Sequence, residues 1–401
     1  MIERQSRWRR PAARIACSAV LAFTLISCGE DPTEQNALLA PSTLPAATIR
    51  DTLVYALHDS TFRTRLPMDG VRDLVGAGGG YYAASVIQFT PGLFPARDTV
   101  SVLSATLQLY MDYHIGPAGG TIAFNVYRMN RQWDPTTLDW DSLQAGIYDP
   151  SILRGSYIGS VTADSGVISV PLDTTMVREW LRTSTSTDVT KFGIALVPTS
   201  ASNVIVGFQS FSGDSVSRVP LVSIVAGNAS QTSLDTSNFS SGINTFAGDA
   251  PVPTDPATVS IQSGIADRGW LYFDLSFLRQ GSVVNSAQLM VDREPQTQFV
   301  NRMVDTSLAA HLATGTVLTT FEGSSSTLLP VSGSATTIAG DVTHIAQSWI
   351  RSNYGLVLRS TSITEFGSFD LIRLYGVRSG TAALHPRMRI VYSSINLGRR
   401  P

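Results

Sequence analysis

The sequence has few cysteines, few charged side chains and no long apolar run after its N-terminal segment. The 401 residues include two cysteines, Cys17 and Cys28, which are too few for a disulfide framework or a cysteine-ligated zinc site. Charged residues make up 15% of the chain. No run of 18 apolar residues follows the first 30 positions, so the sequence predicts no transmembrane helix there.

The N-terminal segment has the composition of a secretory signal. A basic region precedes an apolar stretch over residues 15–26, which is too short to span a bilayer. The stretch ends in Leu25, Ile26, Ser27 and Cys28, which together resemble the lipobox of bacterial lipoproteins. That resemblance implies removal of residues 1–27 and acylation of Cys28. We therefore expect a chain anchored by lipid in a bacterial cell envelope, in the outer membrane where two membranes are present.

The charge of the predicted mature chain limits its partners. Cleavage would remove five of the 29 basic and one of the 31 acidic side chains, leaving 24 against 30 and a formal net charge of −6. An acidic balance argues against nucleic acid as a partner. Polysaccharide and other envelope proteins remain candidate partners, beside the membrane itself.

The composition predicts β structure. Short runs of alternating apolar and polar residues are separated by glycine, proline, asparagine and aspartate, and long helical patterns are missing. We predict an all-β protein with two tandem β-sandwich, jelly-roll-like domains, each containing one short helix.

Several short blocks occur twice in the same order. Residues 104–109 correspond to 286–291, and in both the alternating apolar residues would face one side of a strand. Apolar strand candidates precede them at 86–89 and 270–273. The remaining strand-like blocks are 192–196 with 354–358 and 220–225 with 386–391. This order indicates a diverged duplication.

One further pair of blocks is helical. Each contains a tryptophan, Trp180 or Trp349, within an apolar stripe at helical spacing, which predicts burial of that tryptophan against a core. Asp173 and Asp341 stand near the predicted helix starts, where a carboxylate can cap free backbone N–H groups.

The blocks define the predicted domains. We expect the signal at 1–27, a flexible tether at 28–47, the first domain at 48–227 and the second at 241–395. The Ser, Thr and Asn-rich residues 228–240 are predicted to be the linker between the copies.

The block order resembles the DNRLRE-type domain, a bacterial extracellular β-sandwich related to a carbohydrate-binding module family. The residues that resemble it are the segment 133–140 in the first copy and, in the second, 341–343, Trp349 and 353–356. The resemblance implies a β-sandwich fold, and some relatives bind acidic polysaccharide.

The segment 133–141 contains the candidate ligand-binding residues. Trp133 and Trp140 are candidates for stacking on a sugar ring, with Asp134 and Asp139 beside them, and core packing is the alternative for both tryptophans. Asp139 and Asp141 are weak candidates for calcium, whereas a solvated turn is the alternative for all three carboxylates. No other cofactor is expected.

No reactive constellation stands out, because the histidines have no metal-ligand spacing and no nucleophile motif has its structural context. The leading hypothesis is a non-catalytic glycan-binding or adhesion lipoprotein, with the first domain binding the ligand and the second acting as a spacer. Two alternatives stay open, a polysaccharide-acting enzyme and a purely structural stalk or assembly subunit.

Overall fold

The computed structural model describes residues 47–89, 100–181, 193–210, 218–227, 234–295, 306–331 and 335–395. The predicted signal, Cys28 and the tether up to residue 46 lie outside these residues. Residues 50–393 belong to one compact unit. The other unit, residues 1–49 with 394–401, is described only at 47–49 and 394–395, which are extended.

The first half of the chain is built almost entirely of strands. Its elements are β1 (Ala47–Arg63), β2 (Arg72–Gly78), β3 (Tyr81–Phe89), β4 (Ser101–Ile115), β5 (Gly120–Arg128), α1 (Trp140–Gln144), β6 (Gly155–Val161), β7 (Gly166–Pro171), α2 (Thr174–Leu181), β8 (Gly193–Pro198), β9 (Ile205–Gln209) and β10 (Leu221–Gly227).

The second half repeats the order. Its elements are β11 (Leu234–Asp249), β12 (Thr258–Gln262), β13 (Asp267–Phe273), β14 (Val283–Asp292), β15 (Ser307–Ala313), β16 (Phe321–Pro330), β17 (Thr337–Asp341), α3 (Thr343–Trp349), β18 (Leu356–Ser360), α4 (Ser362–Glu365), β19 (Leu371–Tyr375), a 3₁₀ turn (Ala382–Leu384) and β20 (Arg387–Ile395). The predicted all-β class is confirmed.

The strands form two sheets with matching antiparallel connections. In the first sheet β4 pairs with β7 and β10, while β8 lies between β3 and β5. In the second sheet β14 pairs with β17 and β20, while β18 lies between β13 and β15. The arrangement is sandwich-like, and its repeated pairing agrees with the sequence blocks from which the duplication was inferred.

The two halves exchange their first strands. Strand β1 lies between β13 and β20 in the second sheet, whereas β11 pairs with β10 and β3 in the first. The strands of each sheet therefore do not follow the predicted domain boundaries 48–227, 228–240 and 241–395, because each sheet includes one strand from the other half. Residues 234–240, predicted as linker, are the start of β11, because their backbone groups complete the hydrogen bonds of β10.

Each half has its own apolar core and its own tryptophan helix. Trp180 packs on Phe89 with ring centroids 5.9 Å apart, and Trp349 packs on Phe273 at 6.1 Å. Both tryptophans are buried, as the helical stripe predicts. The predicted caps are also present, since Asp173 accepts a hydrogen bond from Thr175 N and Asp341 accepts one from Thr343 N.

A third apolar cluster combines residues of both halves. It includes Met68, Leu74 and Tyr113 from the first half together with Phe246 and Phe369 from the second. The backbone N–H of Phe369 donates to Tyr113 Oη at 3.0 Å. Strand exchange and this shared cluster join the two halves into one folded body.

Candidate functional site

The segment predicted to bind ligand covers the outer face of the first sheet. Trp133 is buried, with 9% of its surface exposed, and packs with Ala84 and Val86 of β3. Trp140 is half-buried and meets the ring of Tyr82 edge-on, with centroids 5.0 Å apart. Trp133 therefore presents no open stacking face, and Tyr82 occupies part of the surface of Trp140.

The neighbouring carboxylates stabilise local backbone. Asp134 Oδ1 accepts from Thr136 N at 2.8 Å and from Thr136 Oγ1 at 2.7 Å, and these hydrogen bonds lower the pKa of Asp134. Asp139 Oδ1 accepts from the backbone N and Oγ of Ser142 and so caps α1. Burial opposes ionisation of Asp139, but the Ser142 hydrogen bonds outweigh it and lower its pKa.

The third carboxylate of the segment points toward solvent. Asp141 is largely exposed, with its Oδ2 atom 3.9 Å from Arg65 Nε. Among the described residues, no group of three or more His, Cys, Asp or Glu side chains is arranged to hold a metal ion. The arrangement at 133–141 is that of a capped turn and a short helix.

The two copies differ in the connection after β5 and after its counterpart β15. Residues 129–154 connect β5 to β6 and carry the apolar side chains that cover β3 and β8, whereas only residues 314–320 connect β15 to β16. On the outer side of the second sheet Ala309, His311 and Val357 are nevertheless buried, whereas Trp270 and Tyr272 of β13 are partly exposed. This partly exposed part of β13 is the candidate functional site.

Aromatic side chains form the partly exposed surface of β13. Counting back three residues from the core phenylalanines, Phe89 and Phe273, places Trp270 where the first copy has the covered Val86. Trp270 and Tyr272 are partly exposed and stacked, with ring centroids 6.0 Å apart and an interplanar angle of 29°. Two adjacent flat rings thus lie on one side of β13.

Strand exchange extends this aromatic surface. His58 of β1 lies opposite Tyr272 in the sheet, is exposed, and has its ring centroid 5.9 Å from that of Tyr272. We name the three rings of His58, Trp270 and Tyr272 the aromatic face. One of its members comes from the strand that the first half contributes to the second sheet.

The indole of Trp270 is held in place by the backbone of Tyr354 and Gly355. Its Nε1 donates to the carbonyl of Tyr354 at 2.8 Å. Gly355 has a φ of +85°, and a Cβ there would lie 2.7 Å from Trp270 Nε1 and 2.4 Å from the carbonyl oxygen of Leu271. Only glycine accommodates both the backbone conformation and the close approach, so the Tyr354–Gly355 pair fixes the ring orientation.

A buried charged cluster adjoins the aromatic face. Glu365 of α4 is buried and accepts two hydrogen bonds from Arg268 at 2.9 and 3.2 Å, and one from Arg359 at 2.5 Å. Arg359 Nε also donates to His311 Nε2 at 3.0 Å, and the ring of Phe321 packs on both guanidinium groups. Two guanidinium groups thus share one carboxylate.

The surroundings of the histidine of this cluster favour its neutral form. Burial lowers the pKa of His311, and the nearby Arg359 and Arg268 lower it further, against the opposing hydrogen bond to the carbonyl of Glu322. Because Arg359 donates to Nε2, the ring proton is assigned to Nδ1, which contacts Glu322 O at 2.8 Å. The cluster of Arg268, Arg359, Glu365 and His311 therefore has a formal charge of +1.

Sequence reasoning identified 270–273 as an apolar strand candidate but assigned no role to its two faces. Leu271 and Phe273 are in the core, whereas Trp270 and Tyr272 alternate with them on the other side. The sequence signal for a surface role was that residues 270–273 are apolar at both alternating positions. This run lies in the copy that lacks a counterpart of the segment 129–154. His58 had no such signal, because its position beside Tyr272 results from strand exchange.

The chain matches no protein-family model and no curated protein. Among solved structures it is similar to that of the Macrobrachium rosenbergii nodavirus, at 10% identity over 92% of this chain and 96% of that one, with a TM-score of 0.14. It is also similar to the Enterococcus faecalis MSCRAMM ACE, at 10% identity over 79% and 78% of the two chains, with a TM-score of 0.13. Scores this low carry no argument about fold or function.

The described part of the chain contains no helix that is both long and apolar enough to cross a membrane.

Proposed function

We propose that the protein is a non-catalytic, lipid-anchored envelope protein that binds glycan through the aromatic face. The observation that supports this is the side-by-side placement of Trp270, Tyr272 and His58, of which His58 is exposed and the two larger rings are partly exposed. Flat rings offer a sugar an apolar surface for its C–H groups, and a stacked pair spans more than one ring position. The proposed glycan-binding site therefore lies on the second copy rather than on the first.

The fixed geometry favours binding by a rigid surface. Trp270 is held by Tyr354 and Gly355, so little side-chain freedom is lost when a ligand stacks on it. The neighbouring Arg268 and Arg359 are both held by hydrogen bonds to Glu365. A preorganised aromatic platform of this kind suits recognition of an extended polysaccharide.

Replacing Trp270 with alanine is expected to weaken glycan retention by about tenfold or more, which corresponds to about 1.4 kcal/mol of binding energy. The substitution removes the largest flat surface of the aromatic face. Binding is measured with the full-length chain on a glycan array, followed by titration of the best polysaccharide.

Tyr148→Ala is the matched control. Tyr148 stacks on Tyr127 in the first half, with centroids 5.4 Å apart, and lies outside the aromatic face. We expect this variant to bind as the unaltered chain does. Retention that is lost in Tyr148→Ala and kept in Trp270→Ala would refute the assignment, and absence of any glycan binding would leave the stalk or assembly alternative as the better one. Shortening of the bound polysaccharide would instead favour the enzyme alternative.

Cys28→Ser is expected to abolish lipid attachment. The predicted acyl acceptor is the thiol of Cys28, and several buried acyl chains give firm anchoring because each methylene contributes roughly 0.8 kcal/mol. Metabolic labelling with a fatty-acid probe measures the outcome, with Cys17→Ser as the control that keeps its label. Continued labelling of the Cys28 variant would show that the anchor lies elsewhere or is absent.

A further inference from the structure

The connections that come after the two exchanged strands are related in sequence but differ in one decisive residue. Residues 66–69 read Leu-Pro-Met-Asp, and residues 252–255 read Val-Pro-Thr-Asp. Met68 is buried in the cluster shared by the two halves, with 2% of its surface exposed. Thr254, at the corresponding place, is exposed. The methionine fills space beside the first sheet that the threonine leaves open beside the second.

The strands beside these connections differ in the same way. Leu74 pairs with Gly207 in the first sheet, and its counterpart Ser260 pairs with Arg373 in the second. Two residues further along the strands, Gly76 pairs with Ile205 in the first sheet, and the corresponding Gln262 pairs with Leu371 in the second. Polar side chains therefore replace an apolar or absent side chain at three positions of one face, at Ser260, Gln262 and Arg373.

These replacements coincide with a cleft of about 460 Å³. Its lining includes Ser260, Gln262 and Arg373 of the second sheet, which we call its floor, and Tyr81 from the first half. The Tyr81 ring is fixed by an edge-on contact with Phe369, with centroids 6.0 Å apart. The connection from Pro251 to Asp255 also lines the cleft, and we call Tyr81 and this connection its walls. The cleft lies where the two halves meet and has the volume of a typical small-molecule site.

The walls of the cleft are closely packed. Gly80, in the turn before β3, has a φ of +87°, and a Cβ there would lie 3.0 Å from Pro251 Cγ. The turn of the first half and the proline-containing connection of the second half thus touch directly. Pro251 and Pro253 also limit the conformational freedom of that connection. The open space is therefore bounded by restrained elements on both sides.

The side chains that line the cleft indicate the chemical class of its ligand. Hydroxyl groups of Thr254, Thr258 and Ser260 offer both donors and acceptors, while Gln262 Nε2 already donates to the carbonyl of Phe369 at 3.1 Å. Apolar surface is supplied by the Tyr81 ring, Leu371 and the prolines. Among the lining residues the formal charges of Arg373 and Asp255 cancel, and Glu294, which pairs with Arg373 at 3.7 Å, is not part of the lining. Mixed hydroxyl and C–H surface without net charge is the complement of a neutral sugar.

We propose that this cleft is a second binding site, for a short neutral saccharide, separate from the aromatic face. Pyranose rings present hydroxyls at their edges and C–H groups on their faces, which match the polar floor and the apolar walls. The site depends on strand exchange, because Tyr81 and the connection at 251–255 are brought together by the passage of β11 into the first sheet.

The test uses saturation-transfer NMR on the full-length chain with four neutral disaccharides as probes: cellobiose, maltose, lactose and diacetylchitobiose. At least one is expected to give a signal. Thr254→Met, which installs the residue found at position 68, is expected to reduce that signal to background by filling the cleft. Thr254→Ser keeps the space and the hydroxyl and is expected to retain the signal.

Two further variants keep the outcome decisive. Ser260→Leu fills the cleft from the floor, as Leu74 does in the first half, and is expected to abolish the signal independently of Thr254→Met. Trp270→Ala is expected to leave the signal unchanged, which separates this site from the aromatic face. Absence of a signal from all four probes, persistence in both folded filling variants, or loss in Trp270→Ala would overturn the proposal.

Discussion

Replacing Glu365 with glutamine is expected to lower the free energy of unfolding by about 3–5 kcal/mol, the usual cost of removing one partner from a buried ion pair. Glu365 is 1% exposed, and it accepts from both Arg268 and Arg359. Without its charge, two guanidinium groups lie close together under Phe321 with no carboxylate between them. Urea denaturation of the full-length chain measures the effect.

Glu179→Gln is the matched control for this substitution. Glu179 also accepts from an arginine, Arg128, at 2.7 Å, but both side chains are more than a third exposed. Exposed pairs contribute little to stability, so the control is expected to unfold close to the unaltered chain. Equal effects of the two variants would mean that the Arg268–Glu365–Arg359 cluster is not buried as described.

Trp180→Ala and Trp349→Ala are each expected to destabilise the protein by about 3–5 kcal/mol, the range for truncation of a buried large aromatic. Both indoles are at most 4% exposed and each packs on a core phenylalanine. The two variants are further expected to lower the midpoint of one common thermal transition. Differential scanning calorimetry measures both the midpoint and the number of transitions.

A common transition is expected because neither half is complete without the other. Unfolding the first half removes β1 from between β13 and β20, and unfolding the second removes β11 from β3 and β10. Arg72 Nη1 also donates to the carbonyl of Gly367 at 2.9 Å across the halves. Two separate transitions, each moved by only one variant, would instead support independent domains with a boundary near residue 235.

The comparison of the two copies explains how one fold can present different surfaces. Insertion of residues 129–154 covers β3 and β8 of the first copy, and the aromatic Trp133 is used as part of that cover. The second copy has the shorter connection and leaves Trp270 and Tyr272 partly exposed at the corresponding face. Among the described residues the two copies thus differ in how this face is covered, which is why we propose binding on the second copy.

The sequence by itself determined the secondary structure class and the repeat. Period-two alternation is a local property of a half-buried strand, and helical spacing around Trp180 and Trp349 is a local property of an amphipathic helix. The caps at Asp173 and Asp341 depend on residues two positions away. Such features are readable because the interacting residues are neighbours in the chain.

Only the tertiary structure decided which strands pair and which tryptophans are covered. A strand edge can form hydrogen bonds with many extended segments, so alternation alone does not reveal that β1 joins the second sheet or that residues 234–240 continue into β11. Trp133 and Trp270 are equally suited to a core or to a stacking surface. Their burial is set by the segment that lies over each sheet face, and that depends on contacts between residues far apart in the chain.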